Sequence, residues 1–195
     1  MTALHVTASD HPSGRDAAPR ASHPVGIDIA LGDITRADCD VIVSATCPSL
    51  LGGGGVDRAV RRSAGAALSK QLDRIRVERF PSGVAIGGCV ATSGGLLSAK
   101  WVIHAAGPLW SGSPRAIAEL SATYVNALRL ADELGATTVA FPALSAGGCR
   151  FPHATVARVA IAAVRAAECN VSRVRFVLSN RAVFASFVAA FVGNG

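Results

Sequence analysis

Four consecutive glycines, Gly52-Gly53-Gly54-Gly55, stand between a short β-branched run, Val41-Ile42-Val43, and a helical pattern that opens at Val56-Asp57. Glycine has no Cβ, tolerates positive φ, and lets main-chain N–H groups approach an anion such as a pyrophosphate. A helix that begins at such a loop brings the positive end of its dipole to the same place. A flexible linker is the competing reading. Linkers, however, mix glycine with serine and lie in polar chain, whereas this run joins two apolar elements, so a phosphate-holding loop is favoured.

The thiols and imidazoles offer less. Cys39, Cys47, Cys89, Cys149 and Cys169 are odd in number, lack C-x-x-C spacing and fall mostly in apolar surroundings, which suits reduced thiols in an intracellular protein. Cys47 lies beside the glycine loop and a helix start, a setting that lowers a thiol pKa. No histidine is placed by sequence to act as its base, so a nucleophilic role is disfavoured. His104 falls within a strand, as a core histidine would, and His153 follows Pro152 at a helix start, where capping or exposure is expected. His5, His11 and His23 are irregularly spaced. Nothing in the chain has metal-ligand spacing, and no cofactor is implied.

The elements that must position the glycine loop follow from hydrophobic periodicity. Residues 1–24 mix His, Pro, Ser, Asp and Arg without apolar period and are expected to form a disordered tail, with one domain over residues 25–195. Ile27-Asp28-Ile29-Ala30-Leu31 alternates as a strand and leads into the turn Gly32-Asp33-Ile34-Thr35. Val41-Ile42-Val43 reads as a central strand. Val56, Ala59, Val60, Ala64, Ala67, Leu68 and Leu72 form a single helical stripe. Strands are expected at Gly87 to Thr92, Lys100 to Ala106, Thr138 to Phe141 and Val174 to Leu178. Helices are expected over Ile117 to Leu134, Val156 to Ala167 and Phe184 to Val192, with Gly135 as a C-cap.

Strands alternating with helices imply an α/β sandwich whose largely parallel sheet is covered on both faces. Ligands in such folds bind beyond the strand carboxyl ends. Gly32-Asp33, Gly52 to Asp57 and Ser145-Ala146-Gly147-Gly148 all follow strands, and three loops on one rim make one cleft. The net charge of +6 over 195 residues, half of them hydrophobic, suits an acidic ligand but not sequence-specific nucleic-acid binding, since no basic patch is interleaved with aromatics. No run is long and apolar enough to cross a membrane, and no signal-peptide core is present, so a cytoplasmic monomer is the default. Arg over Lys and alanine-rich helices suit a GC-rich bacterial genome.

Gly32-Asp33-Ile34-Thr35, Asp40-Val41-Ile42-Val43, Leu50 to Asp57, Val102 to Pro108 and Ala140 to Ser145, in this order and spacing, resemble a macrodomain. The resemblance runs from about residue 26 to the C-terminal helix. It implies a three-layer α/β/α sandwich with a mixed, largely parallel central sheet, and binding of ADP-ribose. Several branches of that family remove ADP-ribose from proteins, nucleic acids or acetyl esters.

By the same resemblance, Asp33 would accept a hydrogen bond from the adenine amine and the Ile34 backbone would hold the same base. Gly53, Gly54, Gly55 and Val56 would line the distal ribose and phosphates. Ser145, Ala146, Gly147, Gly148 and Cys149 would wrap the diphosphate from the other side. Asn180 or Phe184 would border the adenine, a core role for Phe184 being equally compatible with its position. Asp57 would orient or deprotonate a water attacking the anomeric carbon, helped by Arg150; a helix cap is the plainer role for an Asp there.

The sequence departs from the hydrolytic branch at the scissile end. Ser44-Ala45-Thr46-Cys47 replaces an Asn-Ala-Ala-Asn segment, so Cys47 stands where an amide would hold the distal ribose and a water. Cys149, Arg150 and Phe151 replace an aromatic residue, a Gly and a Tyr. Two functions follow: a hydrolase of mono-ADP-ribose on a modified macromolecule, dependent on Asp57, or a module that recognises ADP-ribose without turning it over.

Overall fold

The computed structural model describes residues 5–6 and 25–193. Seven strands form one sheet: β1 (His5–Val6), β2 (Gly26–Leu31), β3 (Val41–Thr46), β4 (Cys89–Ser93), β5 (Trp101–Ala106), β6 (Thr138–Phe141) and β7 (Arg173–Leu178). Their order is β1-β4-β5-β3-β6-β7-β2. The five from β5 to β2 are parallel, while β4 runs antiparallel to β5 and β1 antiparallel to β4. Five α-helices cover it: α1 (Gly55–Ala64), α2 (Ala66–Arg79), α3 (Pro114–Glu133), α4 (His153–Arg165) and α5 (Arg181–Val192).

Side-chain alternation along the strands creates two cores. Val41, Val43, Ile103, Val139 and Phe141 face α3, α4 and α5, together with Leu120, Val156 and Phe187. Their neighbours Ile42, Val102 and Ala140 face the opposite way, onto Val60 and Ala64 of α1 and Leu68 of α2. Successive strand residues point to opposite faces, so an unbroken apolar run such as Val41-Ile42-Val43 serves both layers at once. Complete burial of each of the larger side chains contributes about 2 kcal/mol. The expected three-layer sandwich with a mixed, largely parallel sheet is the observed fold.

Opposite the strand carboxyl ends, the Asp40 carboxylate joins β3 to β6. It accepts from Thr137 N at 3.0 Å and Thr138 N at 3.1 Å, and pairs with Lys100 at 3.1 Å. These amide donors hold its pKa well below the usual carboxylate range.

The structure differs from the sequence expectations in two places. The helical stripe from Val56 to Leu72 is two helices, broken at Gly65 with φ +81° and ψ 178°. Periodicity does not reveal the break because both pieces bury their apolar face on the same side of the sheet. Leu96 N donates to the freed carbonyl of Ala64 at 3.0 Å. At the N-terminus, His5 and Val6 pair with Val90 and Cys89, within the segment expected to lack structure; the rest of residues 1–24 lies outside the described residues. Among the described residues no helix is long and apolar enough to cross a membrane.

Gly65 occupies a region of backbone space open almost only to glycine. Gly65→Ala is therefore expected to lower stability by about 1–3 kcal/mol, read as a lower urea midpoint at constant slope. An unchanged midpoint would show that α1 and α2 do not need this break.

Candidate functional site

Because β2, β3, β5, β6 and β7 are parallel, their carboxyl ends open on one edge of the sheet, and the loops that follow them meet there. They enclose a cleft of about 1000 Å³. Gly32 to Ile34 form one end beyond β2, and the end of β3 with the glycine loop forms the middle. Gly107 and Leu109 follow β5 on the far side. The loop from Pro142 to Cys149, after β6, faces the glycine loop.

The glycine loop is shaped from beneath by Asp57. This carboxylate is only 1 % exposed. Its Oδ2 accepts from Gly53 N and from Arg61 Nε, both at 2.7 Å, and its Oδ1 accepts from Ser44 Oγ at 3.1 Å. Arg61 reaches on to the Leu50 carbonyl at 3.1 Å, fastening the chain ahead of the glycines. Burial alone would raise the Asp57 pKa, but the Gly53 amide and Arg61 outweigh it and bring it down to about 2. A Cβ on Gly53 would lie 2.8 Å from the Ala45 carbonyl oxygen, so the backbone here packs too closely for any side chain. Beside it, Gly54 and Gly55 have nothing within 4 Å of the equivalent position and open into the cleft. Gly54 is the N-cap of α1 and supplies no side-chain acceptor, which leaves the first amides of the helix available to a ligand.

The facing loop is held by its own backbone and by the core. Ser145 and Arg150 adopt φ +63° and +61°, and Leu50, ahead of the glycines, adopts +58°; these are the only non-glycine residues at positive φ among those described. The bonds Phe151 N to Ser145 O at 3.2 Å and Arg150 N to Gly147 O at 2.9 Å close the turn. The hydroxyl of Tyr124, on α3, accepts from Leu144 N at 2.9 Å and ties the loop to the core. Phe151 turns inward onto Trp110, with ring centroids 4.8 Å apart, while Trp110 N donates to Cys149 O at 2.9 Å. Two buried hydroxyls in the cleft wall, Thr46 Oγ1 and Ser145 Oγ, have no partner among the described residues.

Asp33 is exposed at the β2 end, with Thr35 N at 3.0 Å and Thr35 Oγ1 at 2.8 Å both donating to its Oδ1. These bonds lower its pKa, so the carboxylate is ionised and ready to accept from a ligand. Asn180 caps α5 through its Oδ1, bonded to Ala182 N and Val183 N at 2.8 and 3.2 Å. Cys47 donates to the Gly52 carbonyl at 2.7 Å, which fixes its thiol against the loop.

Of the residues singled out from sequence, Asp33, Ile34, Cys47, Gly53 to Val56, Ser145 to Cys149 and Asn180 line the cleft together. Three do not. Asp57 lies under the loop with both oxygens engaged, Arg150 is exposed and is not among the lining residues, and Phe184 packs on the α5 side of the core while Val183 takes the cleft position. His104 is fully buried; its Nε2 meets Thr92 Oγ1 at 3.0 Å and its Nδ1 stands 3.9 Å from Asp57, too far for a hydrogen bond. Burial lowers its pKa and keeps it neutral. The sequence reading missed Ile86, Leu109 and His153 in the lining. The pair Gly107-Pro108, which ends the strand just before it, is the sequence signal from which Leu109 could have been found. No group of three metal-ligating side chains is found among the described residues.

The macro domain family matches residues 43–160. The chain is 44% identical to a macro domain-containing protein of Streptomyces coelicolor, over 84% of this chain and 97% of that one. It is 45% identical to an O-acetyl-ADP-ribose deacetylase of an Enterobacter species, over 69% of this chain and 74% of that one. In three dimensions it is similar to the Oceanobacillus iheyensis macrodomain solved with ADP, with a TM-score of 0.83 and 27% identity, covering 99% of this chain and 96% of that one. Five motifs in order, a mixed sheet with its cleft at the strand carboxyl ends, and these likenesses agree: the chain belongs to the macrodomain family.

Proposed function

We propose that the cleft binds ADP-ribose, with the adenine at the Asp33 end, the diphosphate between the two facing loops and the distal ribose beside Cys47. The observation that carries this reading is the pair of opposed loops. Gly54-Gly55-Val56 and Gly147-Gly148-Cys149 present backbone to one narrow space, and the pair can surround a diphosphate without a lysine or arginine in the lining. The ionised Asp33 suits the exocyclic amine of adenine. Relatives bearing an ADP-ribose activity in their names support the same ligand.

The proposed reaction is hydrolytic release of a single ADP-ribose from a modified target or ester, with Asp57 required. Since Asp57 Oδ1 and Oδ2 already accept from Ser44, Gly53 and Arg61, its contribution is assigned to holding the glycine loop in its ligand-ready shape. Asp57 is then a positioning residue. One observation favours the second reading, an ADP-ribose-recognising module without turnover: Cys47 spends its thiol proton on Gly52 O and offers no amide to hold a water.

Calorimetry with ADP-ribose, followed by assays of release from mono-ADP-ribosylated protein and from O-acetyl-ADP-ribose, separates the two. Asp33→Ala is expected to weaken binding by about tenfold or more, the cost of a lost hydrogen bond to a charged acceptor. Full affinity in that variant would remove the adenine from this end of the cleft.

Asp57→Asn gives a test with a defined sign. The folded-state pKa, about 2, lies below the unfolded value of about 3.9. The stabilisation is therefore complete above about pH 4 and is lost as pH falls through 2, a change on the order of 2–3 kcal/mol. Denaturant unfolding at pH 5, 3 and 2 should show this acid limb in the wild type and a flatter one in Asp57→Asn, with weaker ADP-ribose binding at neutral pH. Identical acid limbs would mean that Asp57 is not the buried anion under the loop.

A further inference from the structure

At the β4–β5 end of the cleft, beyond the position assigned to the distal ribose, the wall becomes apolar and remains exposed. Ile86 is 45 % exposed and Leu109 is 69 % exposed, and both line the cleft with Pro48, Cys47 and Cys149. None of these five side chains carries a charge in its ordinary state or an amide.

Their exposure is built in. Ile86 sits on a turn fastened on both sides: Val84 N donates to Pro48 O at 2.8 Å and Gly87 N to Ala106 O at 2.7 Å. Asn126 Nδ2, from buried α3, donates to Gly87 O at 2.9 Å, and Gly87 takes φ +84° to make the turn. The backbone at Leu109 is held by its neighbour Trp110, whose amide bonds to Cys149 O and whose ring packs on Phe151. Two solvent-facing aliphatic side chains on backbone already held in place can be covered by an apolar group without reordering the chain beneath them.

We infer that this end is an acyl subsite, and that the preferred ligand is ADP-ribose whose distal ribose carries an uncharged acyl group longer than acetyl. The inference rests on the ADP-ribose reading above. A charged acceptor side chain would have to leave water against Ile86 and Leu109 with no partner in Cys47, Pro48 or Cys149, whereas an aliphatic chain longer than acetyl adds methylenes that gain by covering this apolar surface.

The test is equilibrium binding of ADP-ribose and of analogues carrying acetamido or butyramido groups on the distal ribose, the amide replacing the ester so that nothing is hydrolysed. The butyramido analogue is expected to bind about tenfold more tightly than the acetamido one, from two further buried methylenes. In Ile86→Ser and Leu109→Ser that ratio should fall toward one, while Leu109→Met, which keeps the apolar volume, should retain it. A wild-type ratio of one, with ADP-ribose still bound, overturns the acyl subsite and leaves the ADP-ribose reading standing. If ADP-ribose itself fails to bind, both fall. If a mono-ADP-ribosylated peptide gains over ADP-ribose while the butyramido analogue does not, the apolar end serves a protein target and the acyl inference is wrong.

Discussion

A single buried carboxylate holds the working edge of this protein in shape. Taking Asp57 out of water costs several kcal/mol unless its oxygens are matched, and the matching groups come from three elements. Ser44 belongs to the central strand, Gly53 to the glycine loop and Arg61 to the second turn of α1. The loop therefore cannot relax without leaving an anion uncompensated. Arg61 extends the constraint backward through the Leu50 carbonyl to a residue at positive φ, so the chain entering the glycines is fixed as firmly as the chain leaving them.

The second loop is fixed by different means toward the same end. It has no buried charge beneath it; Tyr124, the single tyrosine of the chain, reaches out of the core to hold Leu144, and two left-handed residues, Ser145 and Arg150, close the turn. Left-handed backbone at non-glycine residues costs about 1 kcal/mol or more each and survives only where the surroundings enforce it. All three such residues among those described flank the cleft. Strain is thus concentrated where backbone amides must point at a ligand instead of at each other.

Most of the fold could be read from periodicity, because β3 and β6 are apolar on both faces and the helices keep one apolar stripe each. The loops that line the cleft could be read from glycine content and from their place after strands. What escaped were features that no local pattern records. The break at Gly65 separates two helices that bury the same side. Asp57 looks from sequence like a residue beside a ligand, and only its partners Ser44, Gly53 and Arg61 reveal that it faces inward. Phe184 takes the core position, one of its two expected roles, and Val183, one helical position and 100° away, takes the cleft position, a choice that sequence spacing alone does not fix. Ile86 appears as an ordinary strand-leading aliphatic until the bonds on either side of it show why it remains exposed.

The cleft is also graded along its length. Its β2 end offers an ionised carboxylate, its centre offers backbone dipoles with two unpartnered hydroxyls, and its β4–β5 end offers aliphatic carbon and thiol. A ligand oriented by this gradient has a hydrogen-bond donor at one end, negative charge in the middle and apolar surface at the other. Reversing it would set a diphosphate or a base amine against Ile86 and Leu109, where neither finds a partner. The two sulfurs, Cys47 and Cys149, then belong with the aliphatic end: each is a small, weakly polar group that removes hydrogen-bonding demand from the cleft wall. On the proposed reading, a thiol in place of an amide at Cys47 alters which substituent the far end of the cleft accepts, while the loop amides and Asp33 serve the rest of the ligand.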